Sequence, residues 1–227
     1  MTTTAAKPLV LWHTTESNRE VFAALLRELA PDVPLVHRVR ADLLEAAQPR
    51  GLTPAIRRAV ALDILEMADT AGAPVVLCTC STLGPGAESA ANLTDAAVLR
   101  VDRPMVERAL DHGPRIVVAA ALASTLGPTR ALLERAARDR AVTPEVRELL
   151  VADAWPLFAA GDRAGYAARI AAVLRREAGD ADAVILAQAS MAGAADLLAD
   201  LGAPVLASPR LGAEAAVAAW RSRFVVP

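Results

Sequence analysis

The sequence predicts an α/β protein of two similar halves, each a parallel sheet flanked by helices, and three observations carry that prediction. Short apolar runs alternate with stretches of helical period from Leu9 to Arg223. The runs of residues 1–112 recur at nearly one offset in residues 113–227. The stretch Pro74-Val-Val-Leu-Cys-Thr-Cys-Ser-Thr-Leu-Gly-Pro-Gly-Ala-Glu88 reads as a buried strand that breaks into a polar loop and then a helix.

In order, Leu9–Trp12 is a strand that exits into His13-Thr14-Thr15, and Ser17 or Asn18 caps a helix to about Ala30. Pro34–Val39 is a second strand and Asp42–Ala47 a helical turn. Thr53-Pro54 opens a long helix to about Thr70, with proline at its first position. The central strand follows, with a helix from Gly86, a fourth strand over Ala97–Val101 and a helix over Met105–His112. Arg115–Ala119 starts the pattern again, through a loop at Leu122-Ala-Ser-Thr125 to a helix over Pro128–Arg138. Residues 142–150 suit an edge strand or a short helix, and 153–177 are helical with a break at Gly161-Asp162. Then come a strand over Asp182–Gln188, a helix over Met191–Leu201, a strand over Pro204–Ala207 and a last helix over Leu211–Arg223.

A shift of 108 positions lays Leu9–His13 on Val117–Ala121 and Val76–Cys80 on Val184–Gln188, and a shift of 107 lays Val98–Arg103 on Val205–Arg210. The expected organisation is a first half, 1–112, carrying Cys80, and a second, 113–227, carrying Gln188. The last helix, about 208–227, is able to pack back on the first half. The halves are expected to be related by a pseudo-twofold, with the site in the cleft between them and Cys80 opposite Gln188.

Composition narrows the function. Hydrophobic residues make up 54% of the 227, largely alanine, yet no uninterrupted apolar stretch approaches the roughly 20 residues of a membrane span. Met1–Lys7 has no apolar core of signal-peptide length, and two cysteines two positions apart make no disulfide framework. The expectation is a soluble protein of the reducing cytoplasm. The net charge of −2 is scattered and aromatics are 3%, which gives no nucleic-acid footprint. Lys7 is the only lysine and precedes the first strand, which argues against a pyridoxal phosphate enzyme. His13, His37 and His112 fall in no metal-ligand spacing, so no metal or other cofactor is expected.

Ligands of open parallel sheets sit outside the carboxyl ends of the strands. That rule singles out Cys80, Ser81 and Thr82 after the central strand, and His13, Thr14 and Thr15 after the first. In the second half it singles out Ser124 and Thr125, with Gln188, Ala189 and Ser190 after the strand equivalent to the central one. Cys78 reads as a small buried apolar residue. The hydroxyl residues also suit helix capping, and His13 also suits a bond to nearby backbone.

The strand ending Cys80-Ser81-Thr82, the Ser124-Thr125 loop and Leu186-Ala-Gln-Ala-Ser-Met191 together resemble the aspartate/glutamate/hydantoin racemase superfamily, in element order over nearly the whole chain. The first motif is similar to the family's Cys-Asn-Thr and the last to its second Leu-Gly-Cys-Ala-Gly-Met type motif. The resemblance implies a cofactor-independent enzyme, a homodimer, acting next to a carboxylate of a small acid. One thiolate takes the proton and a second thiol returns one to the opposite face. Ser81, Thr82, Ser124 and Thr125 are the expected carboxylate donors. Gln188 stands where the second cysteine belongs, and an amide is no general base. Three readings follow. Ser190, His13 or a water held by Gln188 supplies the second proton; or one face alone is served, as in decarboxylation of a malonate-like acid with Cys80 as proton donor; or Cys80 attacks carbon, as in maleate cis-trans isomerases. A non-catalytic small-acid binder is the fourth alternative.

Overall fold

A computed structural model describes residues 7–223. Met1–Ala6, read above as part of a start without a leader, lie outside the described residues, as do 224–227. The chain divides into two compact units, one of residues 1–101 with 210–227 and one of residues 102–209.

Unit 1 runs β1 (Leu9–His13), α1 (Glu16–Leu29), β2 (Leu35–Val39), α2 (Ala41–Ala47), α3 (Pro54–Ala71), β3 (Val75–Cys78), α4 (Gly84–Ala91) and β4 (Ala97–Arg100). Unit 2 runs α5 (Arg103–His112), β5 (Arg115–Ala120), α6 (Ala123–Asp139), β6 (Glu145–Leu150), α7 (Trp155–Ala159), α8 (Arg163–Glu177), β7 (Ala183–Leu186), α9 (Gly193–Asp196) and β8 (Val205–Ala207). The last helix, α10 (Ser208–Ser222), contributes from Arg210 onward to unit 1. The sequence put the boundary after 112, whereas α5 groups with unit 2, where it packs on α6, β7 and β8.

Both sheets are wholly parallel and have one strand order, β2-β1-β3-β4 and β6-β5-β7-β8. Alternate residues of β1 and β3 serve opposite faces, as the period of two dictates. Val10, Trp12, Val76 and Cys78 pack under Val60 and Ile64 of α3 and Ala87 of α4. Leu9, Leu11, Val75 and Leu77 pack under Phe22 and Leu26 of α1 and Ala213, Val217 and Trp220 of α10. In unit 2, Val117, Ala119, Val184 and Leu186 pack with Tyr166, Ile170 and Leu174 of α8. Covering both faces is what makes these strands continuous apolar runs.

The ladders refine the repeat. Leu9 pairs with Val75 in unit 1 and Ile116 with Ala183 in unit 2, so Leu9 corresponds to Ile116 and the first strands match at a shift of 107, not 108. Cys78 and Leu186 stand opposite Trp12 and Ala119, which keeps Cys80 and Gln188 at equivalent places. A one-residue slip leaves no trace in a run buried on both sides, whereas it flips every side chain of an alternating one.

Other boundaries moved for local reasons. Thr15, not Ser17 or Asn18, caps α1, its Oγ1 accepting the Asn18 N–H at 3.1 Å. Thr53 caps α3 with Pro54 at its start, and Gly72 ends it with φ of 57°. Helix α6 begins at Ala123 and carries Pro128 inside, so Ser124 and Thr125 belong to a first helical turn rather than a loop. Glu145–Leu150 is the edge strand of its sheet. The expected helix over Met191–Leu201 is broken into a 3-10 turn, Ala189–Met191, and the single turn of α9.

Candidate functional site

In each unit the exits of the two central strands lie side by side, and the predicted site residues collect there. In unit 1 the β3 exit carries Thr79, Cys80, Ser81 and Thr82, all buried, with Cys80 8% exposed. Beside it the β1 exit carries His13 and Thr14, also buried, and the half-buried cap Thr15. The Thr79 N–H donates to the Trp12 carbonyl at 2.9 Å and extends the ladder one residue into the loop. The Cys78 thiol, fully buried, donates to the Cys80 carbonyl at 3.6 Å, which makes it part of the loop's support.

His13 sits in a chain of directed bonds. The Thr79 hydroxyl donates to the Trp12 carbonyl at 3.3 Å and therefore receives the hydrogen of His13 Nδ1, 2.9 Å away. His13 Nε2 then accepts from His37 Nδ1 at 3.0 Å, the tautomers following from this network. The ring planes differ by 15° with centroids 5.2 Å apart, so the two imidazoles lie edge to edge. Burial, then the neighbouring His37 and Arg19, lower the pKa of His13 to about 3. His37, less buried, is also lowered, by desolvation first and then by Arg19.

Sequence reasoning missed three supports of this loop. Arg100, at the end of β4 and nearly fully buried, donates to the Ser81 carbonyl at 3.5 Å and pairs with Glu88 at 3.2 Å. Gly84 is the residue that lets it pass: a Cβ there would come within 2.6 Å of the Arg100 Cζ. Asn18 Nδ2 donates to the Thr79 carbonyl at 3.4 Å. An arginine inside an apolar strand pattern was the available signal. Asp63, in the middle of α3, accepts from Trp12 Nε1 at 2.6 Å and pairs with Arg38 and Arg40 at 2.9 and 2.6 Å, anchoring β1 and β2 to the helix behind them.

In unit 2, Gln188 ends the β7 run half-buried, and its Oε1 accepts two backbone hydrogens, from Ala121 at 2.7 Å and Leu122 at 3.0 Å. Ala189 and Ser190 follow in the 3-10 turn. The Ser190 hydroxyl lies 3.0 Å from that of Tyr166, whose pKa is raised by burial, so the phenol keeps its proton. Ser124 is half-buried and Thr125 buried, at the start of α6, which has no side-chain cap. Arg103 is exposed and paired with Glu107 at 2.8 Å and Asp139 at 3.5 Å. Among the described residues no group of three or more His, Cys, Asp or Glu side chains could hold a metal ion. No helix there is long and apolar enough to cross a membrane.

Chemically, unit 1 offers a thiol among buried hydroxyls and a neutral imidazole with both nitrogens engaged, and unit 2 offers uncharged hydrogen-bond donors.

Comparison with known structures returns the same architecture. A glutamate racemase from Thermus thermophilus, in complex with beta-chloro-D-alanine, superposes with a TM-score of 0.75 at 17% identity over 98% of this chain and 83% of that one. An aspartate racemase homologue from Pyrococcus horikoshii gives 0.73 at 13% over 95% and 99%. A variant of arylmalonate decarboxylase gives 0.58 at 18% over 94% and 93%. At these identities the likeness concerns the fold. No curated protein matches the chain. The family model described as Asp/Glu/Hydantoin racemase matches residues 10–216, and on that match the chain belongs to the Asp/Glu/hydantoin racemase family.

Proposed function

We propose that this chain is a cofactor-independent enzyme of the racemase and isomerase type that acts next to a carboxylate of a small acid, with Cys80 as the catalytic thiol. The observation that carries the reading is the place of Cys80, at the exit of a central strand, in a loop with Ser81 and Thr82. In the forward step the Cys80 thiolate takes the hydrogen on the carbon beside the carboxylate. A C–H bond breaks, an S–H bond forms, and the electron pair moves onto carboxylate oxygen. Donors aimed at that oxygen stabilise the charge as it grows. The proposed substrate contacts are Thr14, Thr15, Ser81 and Thr82 in unit 1 and Ser124, Thr125, Ala189 and Ser190 in unit 2. The setting proposed with this reading is a homodimer in a reducing cytoplasm, where a thiol is not oxidised to a disulfide.

A second reading is favoured by Gln188 and His13. An amide whose carbonyl already accepts two hydrogens exchanges no proton, and His13, with both ring nitrogens bonded and its pKa near 3, is neutral at working pH. A thiol in unit 1 and an amide, not a second thiol, at the equivalent place in unit 2 suit a lyase. In a malonate-like acid the C–C bond to one carboxylate breaks, carbon dioxide leaves, and Cys80 protonates the resulting enediolate on one face.

Proton NMR in deuterium oxide decides between them, using aspartate, glutamate, hydantoins, maleate and substituted malonates beside Cys80→Ala. Cys80-dependent deuterium at the carbon with loss of optical activity supports racemisation. Release of carbon dioxide with one-sided deuteration supports the lyase, and conversion of maleate to fumarate supports covalent isomerisation. An unreacted panel with an unchanged Cys80→Ala spectrum removes these acids as substrates and reduces the enzyme reading to the family resemblance, beside a non-catalytic binder.

A further inference from the structure

The side chain of Gln188 is held by chemistry that leaves one orientation. Two backbone N–H groups point at it, and an amide nitrogen accepts no hydrogen bond, so the atom facing Ala121 and Leu122 is the oxygen. Both lone pairs of Oε1 are thereby used. The nitrogen Nε2 makes no hydrogen bond to any described residue. Gln188 is half-buried at the exit of a central strand, the end of a parallel sheet where ligands are taken. Two hydrogens donated to the carbonyl polarise the amide and strengthen its own N–H groups as donors.

We propose that Gln188 is a fixed donor arm, in which the Ala121 and Leu122 N–H groups clamp Oε1 so that Nε2 hydrogen-bonds an oxygen of an acidic ligand. The inference rests on the proposed reading that the ligand is a small acid, and it narrows the class. The clamped amide offers hydrogens and no lone pair. It receives a carboxylate or carbonyl oxygen and gives an ammonium group nothing to donate to, so the ligand presents an oxygen, not an amine, to Gln188.

The test is side-chain and backbone 15N NMR of the full chain, titrated with methylmalonate, phenylmalonate, maleate, aspartate, glutamate and hydantoin. The Gln188 Nε2 signals are assigned by their loss in Gln188→Glu. That substitution keeps an oxygen for the Ala121 and Leu122 N–H groups and removes the donor. The expected result is a shift of the Nε2 signals with at least one amine-free acid, while the Ala121 and Leu122 amides hold their positions. Gln188→Glu then weakens that acid's binding by roughly tenfold or more, with those amides equally protected from exchange. Movement of the Ala121 and Leu122 amides with silent Nε2 signals overturns the inference, because the backbone then holds the ligand. Unchanged binding by Gln188→Glu overturns it as well. Cys80-dependent turnover with silent Nε2 signals overturns this inference alone. Shifted signals without turnover overturn the proposed reaction and leave the donor arm standing, and silence of both overturns both.

Discussion

His13 Nε2 lies 3.0 Å from His37 Nδ1, and the pair is built to stay neutral. A proton on His13 would put two N–H groups face to face. With its pKa lowered to about 3 from 6.5, His13 binds its proton in the unfolded chain before the folded one. The stability this contributes is complete above about pH 6.5 and is lost as pH falls towards 3. Urea unfolding at pH 7.5 and 5.0 is expected to show a decline of up to about 1.4 kcal/mol per pH unit from this group. His13→Asn shrinks the pH-dependent part whatever it does to absolute stability. An unaltered slope refutes the assignment.

Gly84→Ala forces a methyl into the space of the Arg100 guanidinium, which is buried and fixed by Glu88 and the Ser81 carbonyl. The expected cost is about 1–3 kcal/mol by chemical denaturation, with faster hydrogen exchange in residues 80–82. Gly193→Ala is the control: Gly193 is exposed and its added Cβ would meet only the Ala167 Cβ, at 3.9 Å, so the change is expected to stay within about 0.5 kcal/mol.

Asp63 holds an indole hydrogen and two guanidinium groups at once. Asp63→Ala strands a buried Trp12 N–H and leaves Arg38 and Arg40, both partly exposed, without this partner, at a cost of about 1–3 kcal/mol. Asp63→Asn keeps an oxygen for Trp12 and is expected to lose less. Equal losses in the two variants, read from urea midpoints, would show that the indole bond contributes nothing.

Thr15 is the cap of α1, and its proposed place beside the substrate is separable from that role. Thr15→Ala is expected to cost about 1 kcal/mol, and Thr15→Ser to restore it. A rise in KM that serine repairs along with stability traces both effects to the cap. A rise that persists in Thr15→Ser points to a substrate contact through the methyl group.

The strands were legible because each apolar run is bounded by polar exits, and Thr53-Pro54 announced its helix with a cap and a proline together. The same habit misplaced the start of α6, where Pro128 looked like a first position and is an interior one. Cys80 and Gln188 could be paired from the repeat because the Val76 and Val184 runs share their length. What the sequence hid were bonds between distant positions: a glutamine oxygen facing Ala121, an arginine threading past Gly84, two histidines 24 residues apart. No local pattern encodes those, since each depends on which strand exits become neighbours.

Unit 1 is made of the first and last parts of the chain. Gly212 sits so tightly on Val101 that an added Cβ would fall 2.6 Å from its Cγ2, and Trp220 donates to the Lys7 carbonyl at 2.8 Å. During synthesis from the amino end, the face of β1 and β3 that bears Leu9, Leu11 and Leu77 waits for Ala213, Val217 and Trp220 until α10 leaves the ribosome. Unit 2 is one unbroken stretch and has all of its own residues earlier. Unit 1 is therefore begun before unit 2 and completed after it, and the face of β1 and β3 has only α1 for cover while all of unit 2 is being made.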